Sequence, residues 1–354
     1  VMNELDRRKF FKSAGTAAIG IASTATDISA QQKRDQDMRA LKQTPAVALP
    51  SWNECTAKQF IMDFVRRVTS QVSPDFVPEN RRIAVFDNDG TLWAEQPVPV
   101  QLYFAFDAAK ERAAVSDKLK QQEPFKSLLA GDLKAVAAQG LKGLAEILKL
   151  THTGMTTVEY EDSVRRWLQT ARHPKLGRPY TGVVYQPMLE VLDYLRGNGF
   201  QTFIVSGGSA DFMRVFAEAT YGISPSQVIG STFKTHFELR EGKPVVVIDP
   251  EIDLFDDKAA KPVAIHKFIG RQPIACFGNS DGDREMLQWT TLGPGSKAPR
   301  LGLIVHHTDA EREFAYDRQH VPSGQLDKAF DEAPQRGWVL ADMKRDWKVV
   351  FPTV

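Results

Sequence analysis

The chain has 354 residues, 42% of them hydrophobic, with 45 lysines and arginines against 44 aspartates and glutamates. That length and apolar content fill a sizeable core, which excludes a disordered or fibrous protein. A formal charge of +1 supplies no electrostatic ground for a nucleic-acid or anionic-membrane partner, and two cysteines make no disulfide framework.

Residues 1–30 account for the small charge excess. They hold Arg7, Arg8, Lys9 and Lys12 against Glu4, Asp6 and Asp27, and without them 41 charges of each sign remain. Arg7-Arg8-Lys9-Phe10-Phe11-Lys12, then a mildly apolar stretch, then Ile28-Ser29-Ala30 before Gln31, resembles a bacterial twin-arginine export signal. Asp6 and Phe11 depart from its usual residues. The resemblance implies cleavage after residue 30 and a periplasmic location. The apolar stretch is too short and weak for a membrane span, and the polar run 31–51 reads as a linker.

Helical periodicity of Phe60, Met62, Phe64 and Val68 predicts a helix over 53–70. A short apolar strand, Ile83–Phe86, follows and runs directly into Asp87-Asn88-Asp89-Gly90-Thr91. Acids are poor strand formers and costly to bury alone, so two carboxylates at a buried strand's end imply a solvated turn or a positive partner. From 100 to 173 the pattern is helical almost throughout, and Thr156 with Glu159 has capping-box spacing. Alternation then resumes: a helix with Pro187 near its start, a strand at 202–205, Ser206-Gly207-Gly208-Ser209, a helix at 209–220 and a hairpin through 231–249. A helix from Lys261, a strand at 273–278, Asn279-Ser280-Asp281-Gly282-Asp283, a helix from Asp283 and a strand at 301–305 complete the series. Apolar strands alternating with helices predict an α/β fold with a doubly wound, mostly parallel, Rossmann-like sheet and a helical cap inserted after the first strand. The expected core is 52–99 with 175–354, and the expected cap 100–174.

In such sheets ligands bind beyond the carboxyl ends of the strands. Three strand ends, in chain order, carry carboxylates, a hydroxyl followed by glycines, and an amide beside further carboxylates; Lys261 joins them. Singly, each has a plain explanation in turns and solvated charges. Together they suit a phosphate and a hard divalent cation.

These residues resemble the four ordered motifs of the haloacid dehalogenase-like hydrolases, spread over 81–310, in their phosphoserine-phosphatase-like branch. The resemblance implies Mg²⁺-dependent phosphoryl transfer through an aspartyl-phosphate. Asp87 would be the nucleophile and Asp89 the general acid and base, both also metal ligands. Ser206, Gly207 and Lys261 would hold the phosphoryl oxygens, and Asn88 would point away. Where the motif usually offers a metal-binding aspartate, this chain has Asn279, so Asn279 and Asp283 are both candidate ligands, with Asp281 less favoured. Asn279→Asp is expected to tighten Mg²⁺ binding.

Dehalogenases lack the second aspartate and ion pumps need membrane spans, which leaves a phosphatase or a phosphotransferase; the expected function is that of a phosphomonoester hydrolase of a small phosphorylated substrate. Two alternatives stay open: transfer to an alcohol acceptor, and a protein that binds phosphorylated ligands without turnover. Glu95 and Trp93 lie where a cap hinge would reach the substrate. His306 and His307 are adjacent on a strand, face opposite ways and cannot readily share one ion. Arg165, Arg166 and Trp167 read as a solvated basic face with one core indole. Oligomeric state has no signature in the sequence.

Overall fold

Strand β1 (Ile83–Phe86) is wholly buried, and its residues divide by parity: Ala84 and Phe86 join one apolar cluster, Ile83 and Val85 the other. Side chains alternate across a strand, so a strand apolar at every position must be covered on both faces. The computed structural model describes residues 48–293, 298–319 and 323–353. The chain divides into residues Val1–Ala48 and Leu49–Val354, and all described residues but Ala48 belong to the second unit. The expected export signal, residues 1–30, lies outside the described residues.

Eight strands form one sheet. Its order is β4 (Lys243–Leu254), β3 (Val228–Arg240), β2 (Gln201–Ser209), β1, β5 (Ala275–Gly278), β6 (Leu301–Thr308) and β7 (Ala315–Tyr316), with β8 (Val339–Asp342) also on β6. Pairing is parallel except for the β3–β4 hairpin and the short β6–β7 pair. The expected α/β sheet is found. Helix α1 (Thr56–Thr69) starts on Cys55, whose sulfur caps the Lys58 N–H.

Six helices follow β1: α2 (Val100–Ala114), α3 (Asp117–Lys120), α4 (Phe125–Leu129), α5 (Leu133–Ala138), α6 (Gly140–His152) and α7 (Thr157–Thr170). Ala105, Ala109 and Ala113 of α2 pack with Phe125, Leu128, Val136 and Ile147 in a small core of their own. Helix α7 opens with the capping box of Thr156 and Glu159. The chain before it also bonds the hairpin: Gly154 N–H donates to the Ile248 carbonyl, and Ile248 N–H to that of Met155, both at 2.9 Å. Trp167 stacks on Tyr180 while Arg165 and Arg166 are exposed.

Helix α8 (Gln186–Gly197) leads into β2, and α9 (Ala210–Tyr221) follows it directly. Strand β2 is longer than the apolar run 202–205 predicts. Ser206 pairs with Gly230, and a bulge carries the pairing on to Ser209. Beyond the hairpin lie α10 (Ala260–Ile269), α11 (Arg284–Leu292), α12 (Lys328–Arg336) and α13 (Met343–Asp346).

The folded body begins earlier than the linker expected over 31–51 allows. Leu49 and Ser51 are buried, and Trp52 bridges to Trp347 with ring centroids 5.8 Å apart, edge to face. Asn53 N–H donates to the Asp346 carbonyl and Lys348 N–H to that of Ser51, each at 2.8 Å. Among the described residues no helix is long and apolar enough to cross a membrane.

Candidate active site

The carboxyl end of β1 is fixed by its neighbours before any side chain acts. Asp87 N–H donates to the Phe277 carbonyl on β5 at 2.9 Å, and the Asn88 carbonyl accepts the N–H groups of Thr91, Leu92 and Trp93 in a tight turn. Gly90 sits at φ +76°, and a Cβ there would lie 2.1 Å from Asn279 Nδ2 and 2.3 Å from Glu95 Oε1. No residue but glycine fits that turn. The Asn88 amide oxygen accepts from the Tyr221 hydroxyl at 3.1 Å, so its side chain faces the core, as expected.

This turn aims both carboxylates into a pocket of about 360 Å³ that Ser206, Gly207 and Lys261 also line. Lys261 is buried, its Nζ 2.7 Å from Asp87 Oδ1 and 2.6 Å from Asp283 Oδ1. Asp89 Oδ1 accepts from the Trp93 indole N–H at 2.7 Å. Burial pushes the Asp87 pKa well up; the Asp283 carboxylate adds to this and Lys261 opposes it. Burial likewise raises that of Asp89, against the Trp93 hydrogen bond. For Lys261 burial disfavours the charge, but Asp283 and Asp87 together outweigh it and its pKa rises. One ammonium between two carboxylates is the positive partner that two acids at a strand end require.

The Ser206 region differs in detail from a helix-opening phosphate loop. Gly208 N–H donates to Ser206 Oγ at 3.2 Å, and Ser209 N–H to Gln101 Oε1 at 2.8 Å. Ser231 Oγ donates to the Gly207 carbonyl at 2.8 Å and fixes the bulge. Ser206 and Gly207 line the pocket, but the amides of Gly208 and Ser209 are engaged within the protein.

Asp283 is not placed as a direct metal ligand. Its Oδ1 is held by Lys261, and its Oδ2 accepts the backbone N–H groups of Asn279 and Ser280 at 2.9 and 3.1 Å and the Ser280 hydroxyl at 3.3 Å. Asp281 caps the start of α12, accepting from the N–H groups of Asp327, Lys328 and Ala329. Among the described residues no group of three His, Cys, Asp or Glu side chains is suited to a metal. Asp87 and Asp89 still present hard oxygen donors to the pocket, and Asn279 is buried beside the same turn without lining it. Asn279 Oδ1 accepts only a 3.3 Å bond from Thr91. That donor set fits a small hard cation such as Mg²⁺.

Two buried groups that the sequence reading raised but did not include among the site residues stand beside the aspartates. Glu95 accepts from Asn279 Nδ2 at 2.6 Å, from the Tyr316 hydroxyl at 2.9 Å and from the Ser323 hydroxyl. Burial raises its pKa to about 7 against the Ser323 bond and the nearby His307. His307 Nε2 lies 2.8 Å from the Gly90 carbonyl, an acceptor, so that nitrogen carries a proton; Nδ1 is 3.1 Å from Glu313. His306 faces the other way, with its ring against Phe330. The two histidines face opposite ways, and His307 braces the turn at Gly90, just past the second aspartate.

The sequence pattern of the haloacid dehalogenase-like hydrolases matches residues 84–288, which hold Asp87, Asp89, Ser206, Lys261, Asn279 and Asp283. The chain belongs to this family. Its structure is similar to that of a conserved protein of unknown function from Anaerococcus prevotii DSM 20548, at 18% identity over 77% of this chain and 96% of the other, with a TM-score of 0.47. It is also similar to a phosphoserine phosphohydrolase-like protein from Francisella tularensis subsp. tularensis SCHU S4, at 15% identity, 66% and 90% coverage and a TM-score of 0.37. A substrate-bound phosphoserine phosphatase compares at 14% identity, 72% and 97% coverage and a TM-score of 0.31. No curated protein matches this hydrolase.

Proposed function

We propose that this hydrolase cleaves phosphomonoesters in two steps through an aspartyl-phosphate on Asp87. The observation that carries the reading is the buried contact of Lys261 with Asp87, at the floor of a pocket that Asp89 and Ser206 share. An Asp87 oxygen attacks phosphorus, the bond from phosphorus to the ester oxygen breaks, and Asp89 delivers its proton to the departing alkoxide. Water then attacks the same phosphorus and gives its proton to Asp89. The bond to Asp87 breaks and inorganic phosphate leaves.

Asp89 lines the same pocket as Asp87 two residues on, which supports its acting as the acid. Ser206 and the Gly207 backbone bind phosphoryl oxygens, and Lys261 offsets the charge that nucleophile and phosphate bring together. Mg²⁺, held by Asp87, Asp89 and Asn279, would supply charge stabilisation to the phosphoryl oxygens.

The two aspartates should fail differently. Asp87→Asn abolishes turnover of every substrate and leaves no phosphoenzyme. Asp89→Asn slows alkyl phosphates by roughly 10² to 10⁴, the usual worth of general acid-base catalysis. With nitrophenyl phosphate, whose leaving group needs no proton, it releases a burst of nitrophenol near one per enzyme in rapid quench and traps phosphate on Asp87. Equal loss with both esters and no trapped phosphoenzyme would sink the covalent route.

A further inference from the structure

The two halves of the pocket differ in chemistry. Its floor is the charged set around Asp87, whereas its walls are Pro99 and Leu102, Leu148 of α6, Phe233 and Ile252 of the hairpin, and Phe255 just beyond it. Ile252 and Phe255 are large apolar side chains left 50% and 61% exposed at its rim. Burying apolar surface of that kind is favourable, and nothing within the described protein buries it.

Charge narrows the choice of what does. Among the described lining residues Asp87, Asp89, Glu95 and Asp257 are acidic, and Lys261 is the single cation, already between Asp87 and Asp283. A second phosphate or a carboxylate on the substrate would find no uncommitted basic partner among the described lining residues. Part of the polar wall is committed: Gln101 Oε1 to Ser209, Ser231 Oγ to Gly207, and Glu95 to three donors, which leaves Thr232, Asp257 and the Gln101 amide nitrogen as the polar wall groups without a side-chain partner among the described residues. A leaving group rich in hydroxyls would give up more hydrogen bonds to water than these three groups replace, which is costly wherever it lies against the apolar wall.

We propose that the substrate is the phosphomonoester of an uncharged, apolar alcohol or phenol, its body lying against Phe233, Ile252 and Phe255 while its phosphoryl group meets Asp87. This rests on the phosphatase reading above. Phosphoserine, nucleotides and sugar phosphates are disfavoured by the same walls.

The test compares phenyl and cyclohexyl phosphate with phosphoserine, glucose 6-phosphate and AMP at fixed Mg²⁺. The apolar esters should lead in kcat/KM by at least about tenfold, the scale of one or two methylene-sized contacts in an apolar pocket. Phe255→Ala, at an exposed position where folding is not at risk, should shrink that lead. Calorimetry adds a readout without turnover: benzylphosphonate should bind more tightly than 2-amino-4-phosphonobutyrate, a phosphoserine mimic. A lead for any charged or hydroxyl-rich ester overturns the substrate class and leaves the phosphatase reading standing. No hydrolysis of any ester, with benzylphosphonate still preferred, overturns the reaction and keeps the class. Equal binding of the two phosphonates overturns the class whatever the turnover.

Discussion

Asn279 illustrates how a single side chain is set by a partner far away in sequence. An added carboxylate at this position is expected to strengthen a metal site when only the motif is considered. The structure reverses that expectation, because Asn279 Nδ2 donates at 2.6 Å to the buried Glu95. Asn279→Asp replaces a donor by a second acid oxygen and sets two carboxylates against each other in a low-dielectric site. The variant should lose about 1–3 kcal/mol of stability, the cost of an unsatisfied buried partner, and bind Mg²⁺ no better than the parent. Glu95→Gln in the same chain restores a donor and should recover both thermal midpoint and Mg²⁺ binding by calorimetry. A stable Asn279→Asp single variant with tighter Mg²⁺ binding would contradict this account. Asp87, Asp89 and Lys261 could be grouped from the sequence because each stands at or just past a strand end or helix start with its motif around it, and Ser206 because of its Ser-Gly-Gly signal, although it lies within β2. Glu95 was raised only as a residue at the cap hinge; its buried hydrogen-bonded place was not legible, since Tyr316 and Ser323, which hold it, are more than 200 residues on. His307 was hidden for a related reason: its partner at the site is a backbone carbonyl, which has no sequence signature.

Elements were most readable where local chemistry repeats. The capping box of α7, the hairpin and the apolar central strands all carry periodic or terminal signals. The end of β2 was misjudged because glycines usually stop strands, whereas here pairing with β3 across a bulge keeps Gly207 and Gly208 within one. Strand β8 had no reading at all; its parallel pairing with β6, not its composition, makes it a strand. The connection between β4 and α10 holds a cost of its own. Asp256 is fully buried and neither carboxylate oxygen has a hydrogen-bond partner. Burial raises its pKa to about 6, against the pull of Lys261. A raised carboxyl pKa means that the folded state keeps a proton which the unfolded chain has released, so stability falls as pH rises from about 4 to 6 and stays lower above that. Asp256→Asn removes the charge and should stabilise the protein at pH 8 by about 2–3 kcal/mol, with the gain vanishing near pH 4. Denaturant melts at the two pH values would show it; an equal effect at both would exclude an origin in titration.

At the scale of the whole molecule, we propose export to the periplasm on the strength of Arg7-Arg8 and Ile28-Ser29-Ala30. Replacing both arginines by lysine should leave the protein in the cytoplasm, as cell fractionation would report; undiminished periplasmic protein would rule the reading out. The sheet and its cap were foreseen from alternation, but the closure of residues 51–53 onto 345–348 was not, because a tryptophan at each end of a body says nothing about the other. That closure has a consequence in time. Asn53 and Arg345, joined by a hydrogen bond, are 292 residues apart. At roughly 5 to 20 residues per second, a ribosome needs on the order of fifteen seconds to a minute to make that length. Throughout this interval the indole of Trp52, fully covered in the finished protein and bonded there to the Pro187 carbonyl, still lacks the Trp347 ring that it meets edge to face. The nascent chain thus carries an incompletely covered indole until residues 345–348 are made, and that is the interval in which a holding chaperone has something to hold.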